Sequence, residues 1–258
     1  MAINKKLIHF KNKENFNNEV ANGNILDTSI VFIQDSKEIS THGTVYKTVN
    51  WSILEPSLYE WVDLGLPSGT LWATYNVGAT KPEEYGLYFA WGETEGYSGI
   101  TDTKQFNWSD YKLCGGSNTT ITKYNNNSSY GTVDNLTTLE LVDDAVYQSD
   151  NTCRMPTKAD FEELTANTTS TWETLNGVNG RRFTSKTNGN SIFVPAAGYC
   201  GNGSVFNVGS YGYLWSSSLN ESNPSVGWYL GFNSGDVNVS SYGYRFNGFL
   251  VRAVKSKS

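Results

Sequence analysis

The feature that most constrains this 258-residue chain is the stretch from Tyr211 to Val254, YGYLWSSSLNESNPSVGWYLGFNSGDVNVSSYGYRFNGFLVRAV. Large apolar residues recur along it: Trp215, Trp228, Leu230, Phe232, Val237, Val239, Val251 and Val254. In GWYLGFN, Trp228, Leu230 and Phe232 alternate with Tyr229, Gly231 and Asn233. In DVNVS, Val237 and Val239 alternate with Asp236, Asn238 and Ser240. A period of two is the pattern of a half-buried strand. One face therefore predicts a core. The other is built of Tyr, Asn, Ser and Gly, the composition of antibody-type paratopes, in which Tyr supplies rigid contact area and small polar residues supply adaptable hydrogen bonds. Glu221 is the only Lys or Glu between residues 199 and 244. Solvated faces use both residues, whereas interface cores deplete them. The plain alternative is the outer face of a β-protein, with Asn and Gly serving its turns.

The length allows one large domain or a small one beside a medium one. With 14% aromatic residues in a chain of mean hydropathy −0.44, a few large rings are expected to fill the core. The net charge of −6 and the absence of a basic run argue against a nucleic-acid partner. No stretch approaches the ~20 apolar residues of a membrane span. MAINKKLIHFKNKENF lacks the apolar run of a signal peptide, so the expectation is cytoplasmic synthesis, with action outside the cell only by release. Cys114, Cys153 and Cys200 form no CxxC pair. They read as three buried free thiols, with one bridge and one free thiol as the alternative.

Residues 1–58 predict a small β-α-β-β module ending in a linker around Pro56. Its strands are LIHF, SIVFIQD and KEISTHGTVYKTV; its helix carries Phe16 and Val20 on one face and ends at Gly23. His9 and His42, without a carboxylate pattern around them, read as surface or turn residues. A larger domain is expected over 59–258. WVDLGLPSGTLWATYNVGA predicts two strands turning at Pro67-Ser68-Gly69, and EEYGLYFAWGE a further strand. Residues 95–135, rich in Gly, Asn, Ser and Thr, predict a long excursion across the surface. LTTLELVDDAVYQ predicts a helix with Leu139, Val142 and Val146 on one stripe. RMPTKADFEEL predicts a helix capped by Thr157, with Asp160 three residues on and Phe161 and Leu164 buried. RRFTS and SIFVPAA predict a hairpin turning at Asn188-Gly189.

Six motifs in order, WVDLGLPSGTLWATYNVGA, YFAWGE, RMPTKADFEEL, FVPAAGY, GYLWSSS and GFLVRAV, resemble a paralogous domain of gut anaerobes and their phages. That domain is similar to the C-type lectin fold shared by formylglycine-generating enzyme and the variable proteins of diversity-generating retroelements. The resemblance covers roughly residues 60–254, and the first segment more weakly resembles a phage tail-type module. It implies an α+β, C-type lectin-like (formylglycine-generating-enzyme-type) domain preceded by the small β-α-β-β module. It also implies a non-enzymatic binding surface diversified at Tyr213, Asn220, Ser222, Asn223, Tyr229, Asn233, Asp236, Asn238, Ser240, Tyr242, Tyr244, Phe246 and Asn247. Of these, Tyr213, Tyr229, Tyr242 and Tyr244 would be the anchors. Trp215, Ser216, Ser217, Trp228, Gly248, Val251 and Arg252 would be the frame. The implied partners are a host cell-surface protein or glycan and, through the first segment, other tail proteins of a virion. A homotrimer would suit a fibre tip.

Other chemistries find less support in the residues. Calcium-dependent sugar binding needs clustered carboxylates and amides around one cation. The EPN, QPD and WND signatures are absent: Glu55-Pro56-Ser57 lies in the linker, and Asn223-Pro224-Ser225 lacks a preceding acid. Asp134, Asp143, Asp144 and Asp236 read as surface acids, and no metal or cofactor is expected. Formylglycine chemistry needs a reactive cysteine pair, whereas Cys200 in GYCGNG stands alone and reads as structural. GLPSG and GGSN lack the Lys and helix of a phosphate loop. No acid pair is singled out for glycoside hydrolysis, and Glu162-Glu163 read as a solvated helix face. A carbohydrate-active or formylglycine-type enzyme and a structural oligomerisation protein remain as alternatives.

Overall fold

The computed structural model describes residues 59–257 and, within the first 58 residues, four strands. The chain divides into two compact units, Met1–Ser57 and Leu58–Ser258. The first unit holds β1 (Leu7–Phe10), β2 (Ile30–Ile33), β3 (Glu38–Thr41) and β4 (Thr44–Lys47), in that spatial order. β1 and β2 run parallel, with Leu7 opposite Ile30; the other neighbours are antiparallel. KEISTHGTVYK is thus two paired strands, Thr41 opposite Thr44, where the sequence predicted one. His9 lies in β1 opposite Phe32, not in a turn; the predicted helix around Phe16 and Val20, the linker around Pro56 and the reading of His42 lie outside the described residues.

The second unit opens with β5 (Trp61–Asp63), β6 (Thr70–Asn76) and β7 (Tyr88–Phe89). The turn between β5 and β6 closes with the Gly69 N–H donating to the Leu66 carbonyl at 2.9 Å. Two helices follow, α1 (Ala145–Ser149) and α2 (Lys158–Asn167). Then come β8 (Thr168–Leu175), β9 (Val178–Ser185), β10 (Ser191–Pro195), β11 (Tyr199–Gly201), β12 (Ser204–Phe206), β13 (Tyr211–Leu219), β14 (Val226–Asn233), β15 (Val237–Tyr244), β16 (Phe249–Leu250) and β17 (Arg252–Ser256). They form a five-stranded sheet β15-β14-β13-β16-β7, two three-stranded sheets, β10-β9-β8 and β17-β6-β5, and the pair β11-β12.

This architecture overturns the expected α+β, C-type lectin-like fold with its β-α-β-β module. Among the described residues of the chain, strand far outweighs helix. Among the described residues its α-helices number two, of five and ten residues. The helix predicted over 136–148 does not form. Asp144 interrupts it, accepting the Val146 and Tyr147 N–H groups as the N-cap of the short α1. Leu139 and Val146 are buried, but Val142 is 62% exposed, so the supposed stripe is not one face. α2 forms where predicted: Thr157 and Asp160 make a reciprocal capping box, and Phe161 and Leu164 are buried. The β9-β10 hairpin also forms, pairing Thr184 with Ser191.

The five-stranded sheet has a core on each face. Leu214, Leu230, Phe232 and Leu250 pack with Phe161 and Leu164 of α2, Phe183 of β9 and Ile192 of β10. Trp215, Phe249 and Phe89 pack on the other side with Trp91, Tyr124 and Val146. The register explains this separation, because residues directly opposite share a face. Leu230 lies between Leu214 and Val239, whereas Tyr229 lies between Trp215 and Ser240. Among the described residues, no helix is long and apolar enough to cross a membrane.

Candidate ligand-binding surface

The rigid point of the site is Trp215, fully buried. Its ring stacks on Phe249 with centroids 4.1 Å apart, and its indole N–H donates to the carbonyls of Phe89 (2.9 Å) and Asn247 (3.2 Å). Two glycines make room for it. A Cβ on Gly243 would lie 2.9 Å from the Trp215 ring and 2.7 Å from Phe249; one on Gly227 would lie 2.9 Å from Trp91. Of the other predicted frame residues, Ser216, Ser217, Gly248, Val251 and Arg252 are buried. Trp228 is only half-buried, with Lys158 Nζ 4.6 Å from its ring centroid. Its neighbours Gly227 and Tyr229 both face Trp215, so Trp228 keeps the alternation and lies toward the start of α2.

Outward from Trp215, the same sheet face becomes a run of tyrosines. Tyr229 and Tyr213 both pack on Phe249, at 5.1 and 5.0 Å, and stand 5.8 Å apart. Tyr211 stacks on Tyr213 at 6.2 Å, and Tyr199 meets Tyr213 edge-on at 5.4 Å. Phe206 stacks on Tyr199 at 5.1 Å and closes the run. The inner rings are half-buried, while Tyr211 and Phe206 are about two-fifths exposed. Burial pushes the Tyr213 hydroxyl up from its ordinary pKa. Beside the tyrosines the register sets Asn238 opposite Gly231 and Ser240 opposite Tyr229. Tyr213, Tyr229, Asn238 and Ser240 thus belong to one surface.

The other candidates do not join it. Because neighbours on a strand point to opposite faces and Gly243 faces Trp215, Tyr242 and Tyr244 point away from the tyrosine run. They line a cavity of about 280 Å³ with Asn220, Asn223 and Val226. Asn220 and Asn223 also have turn duties: the first accepts from the Ser222 and Asn223 N–H groups, the second from Ser225. Ser222 is exposed on that turn. Asn233 closes the β14–β15 turn, accepting from Gly235 and Asp236. Asp236 lines a different cavity, of about 300 Å³. Asn247 is half-buried, its carbonyl serving Trp215. Phe246 is buried against Trp108 at 5.0 Å and is not a surface residue.

Sequence reasoning missed Tyr199, Phe206 and Tyr211 as surface rings. Tyr211 had a signal, standing two residues before Tyr213 on the same strand face. It also missed Arg245, fully buried with its guanidinium 4.7 Å from the Trp91 ring centroid. Arg245 donates to the Tyr111 hydroxyl and to the carbonyls of Tyr124, Pro224 and Lys123. It thereby anchors the 95–135 excursion to the end of β15. Lys104, buried against Glu93 at 2.8 Å, holds the excursion's other limb.

Among the described residues, the acids and thiols form no reactive cluster. Asp144 is buried, not a surface acid, and burial pushes its carboxyl up against the pull of three N–H donors. Asp134 accepts from Tyr124, Asn125 and Leu136. Asp143 pairs with Lys123 at 2.6 Å. All three cysteines are free; Cys153 and Cys200 are buried, whereas Cys114 is half-buried rather than buried as expected. Burial pushes the Cys200 thiol up to about 12 and Cys153 to about 11. Among the described residues, no group of three or more His, Cys, Asp or Glu could hold a metal ion. Comparison of the chain with family models, curated proteins and solved structures found no match.

Proposed function

We propose that this chain is a non-enzymatic receptor-binding protein of a phage tail, and that it engages a host cell-surface protein or glycan through the tyrosine run on β13 and β14. The observation that carries this reading is the contact series Phe206–Tyr199–Tyr213–Tyr229, backed by buried Phe249 and Trp215 and open to solvent at its outer end. Aromatic rings held on a rigid support lose little freedom on binding and are the residues that most often dominate interface energy. The inert environment of Cys200 supports a binding role over thiol chemistry.

The β14–β15 hairpin is where retroelement diversification would act on this reading. Among the described residues β15 is the outermost strand of its sheet, paired with β14 alone. Side chains there can be exchanged with the loss of fewer neighbours than on an interior strand. The first unit would attach the protein to other tail proteins of the virion. Two tests apply. A reverse transcriptase and a near-copy of the coding segment beside the gene support diversification; the absence of both counts against it. Purified chain should bind intact cells of a host bacterium, and Tyr211→Ala with Tyr229→Ala should abolish that binding. Loss instead in a Tyr242→Ala, Tyr244→Ala variant would move the site to the 280 Å³ cavity.

A further inference from the structure

A second candidate site lies away from the tyrosine run, where α2, β8, β9 and the β14–β15 turn line a half-open cleft of about 300 Å³. Its lining includes Arg181, only 6% exposed. Arginine carries five N–H donors. Arg181 Nε donates to the Asn233 carbonyl at 2.9 Å, and Nη1 donates to the carbonyl (3.2 Å) and hydroxyl (2.9 Å) of Ser170. Among the described residues Nη2 has no hydrogen-bond partner, and it is not among the fully buried orphan atoms, so the guanidinium that lines the cavity keeps an accessible pair of donors. Arg181 makes no ion pair within 4 Å among the described residues. Burial disfavours its charge, and Asp236, on the cavity wall, opposes that effect.

In the rest of the lining, Ser170 Oγ accepts from Arg181 and keeps its own proton to donate, and the other side-chain groups present acceptors. Thr165 Oγ1 already donates to the carbonyls of Phe161 and Glu162, both at 3.0 Å. Thr168 Oγ1 donates to the Leu164 carbonyl at 2.7 Å. Toward a ligand both hydroxyls present lone pairs, as does the Asp236 carboxylate. One cationic donor group and one hydroxyl donor therefore face several acceptors.

We infer that this cavity binds a small carboxylate that carries hydrogen-bond donors of its own, the carboxylate on Arg181 Nη2 and the donors toward Asp236 and the two threonines. A monoanion suits one Arg with one Asp nearby, whereas a dianion such as phosphate would meet Asp236 unfavourably. The volume limits the occupant to about one residue of sugar or peptide. Two sources share this chemistry: a sugar acid, whose donors are hydroxyls, and an amino acid, whose donor is an ammonium.

The test titrates the full chain with D-glucuronate, L-alanine, propionate and glucose, following the Arg181 guanidinium resonances by NMR. Glucuronate, alanine or both should shift those resonances and bind at least tenfold more tightly than propionate or glucose. A response to one of them alone identifies the source. Asp236→Asn keeps an acceptor for the Val237 N–H and should narrow the gap over propionate. Arg181→Gln should abolish binding. If Arg181→Gln fails to fold, the resonance shift and Asp236→Asn decide. No response to either acid, or unchanged selectivity in folded Asp236→Asn, overturns the assignment. Tyr229→Ala should leave this site intact, so the outcome is independent of the cell-binding reading.

Discussion

Trp215 and Phe249 stack at 4.1 Å, and this contact ties β13 to β16 on the side of the sheet that bears the tyrosines. Gly243 faces both rings across the sheet. Gly243→Ala would place a methyl 2.7 Å from Phe249, well inside contact distance. We expect a loss of about 1–3 kcal/mol by overpacking, and about 3–5 kcal/mol for Phe249→Ala. Urea unfolding checks both. No loss for Gly243→Ala would mean that the rings shift without strain.

At the surface, Tyr229→Ala and Tyr211→Ala should each weaken cell or receptor binding by ~2 kcal/mol or more. The exposed Tyr211 should be removable with little change in the melting temperature. Tyr229, half-buried on Phe249, should cost some stability as well, so binding and melting must be measured on the same preparations.

Lys104 and Glu93 form a nearly water-free ion pair that also engages Asp110 at 3.3 Å. Glu93→Ala would leave a buried ammonium with Asp110 alone, through its carbonyl at 3.0 Å and its carboxylate at 3.3 Å, and should cost about 3–5 kcal/mol. Hydrogen exchange should rise across residues 95–135 before it rises in β13 and β14. Uniform exchange would show that the excursion is not an independent local unit.

Burial alone would push the Asp160 carboxyl up, but the Arg154 guanidinium and the Thr157 N–H and hydroxyl pull it below its ordinary 3.8. A carboxyl with a folded pKa below its unfolded one adds stability that is fully present above the unfolded value. That stability is lost as pH falls through the folded value. Asp160→Asn should therefore lower stability at pH 7 by about 1–3 kcal/mol and flatten the acid limb below pH 3.8. Denaturant titrations at several pH values check it; parallel acid limbs would refute it.

Thiol labelling at pH 8 should modify Cys114 first and leave Cys153 and Cys200 untouched in the native state. The two buried thiols sit at about 11 and 12, so almost no thiolate forms. Rapid native labelling of Cys200, read by mass spectrometry, would reopen thiol chemistry.

Local signals carried as far as local physics reaches. Thr157 and Asp160 announced α2 because a capping box is complete within four residues. Asn188-Gly189 announced a hairpin because a turn needs only its own backbone. The alternation in β14 held for Leu230 and Phe232 and for the direction of Trp228, but Trp228 is only half-buried, since its cover at Lys158 comes from a helix distant in sequence. Residues 136–148 carried apolar residues at helical spacing, yet Asp144 found its donors eleven residues away at Met155 as well as next door. Arg245 and Arg181 were illegible for the same reason: their acceptors come from segments 121 and 52 residues away. The thirteen candidate positions clustered in sequence, but the bulge in β15 sent Tyr242 and Tyr244 to one side and Ser240 to the other.

A sheet with a core on both faces behaves as a party wall. Neither core can melt while the other stays whole, because β13 and β14 contribute side chains to both. The Leu58–Ser258 unit should then lose its structure in one sharp transition, reported alike by tryptophan fluorescence from Trp215 and by far-ultraviolet circular dichroism. Changes confined to the outer tyrosines or to the rim of β15 would shift the midpoint of that transition without splitting it. A lineage could then revise what the surface touches many times over while every revision inherits the same all-or-none foundation.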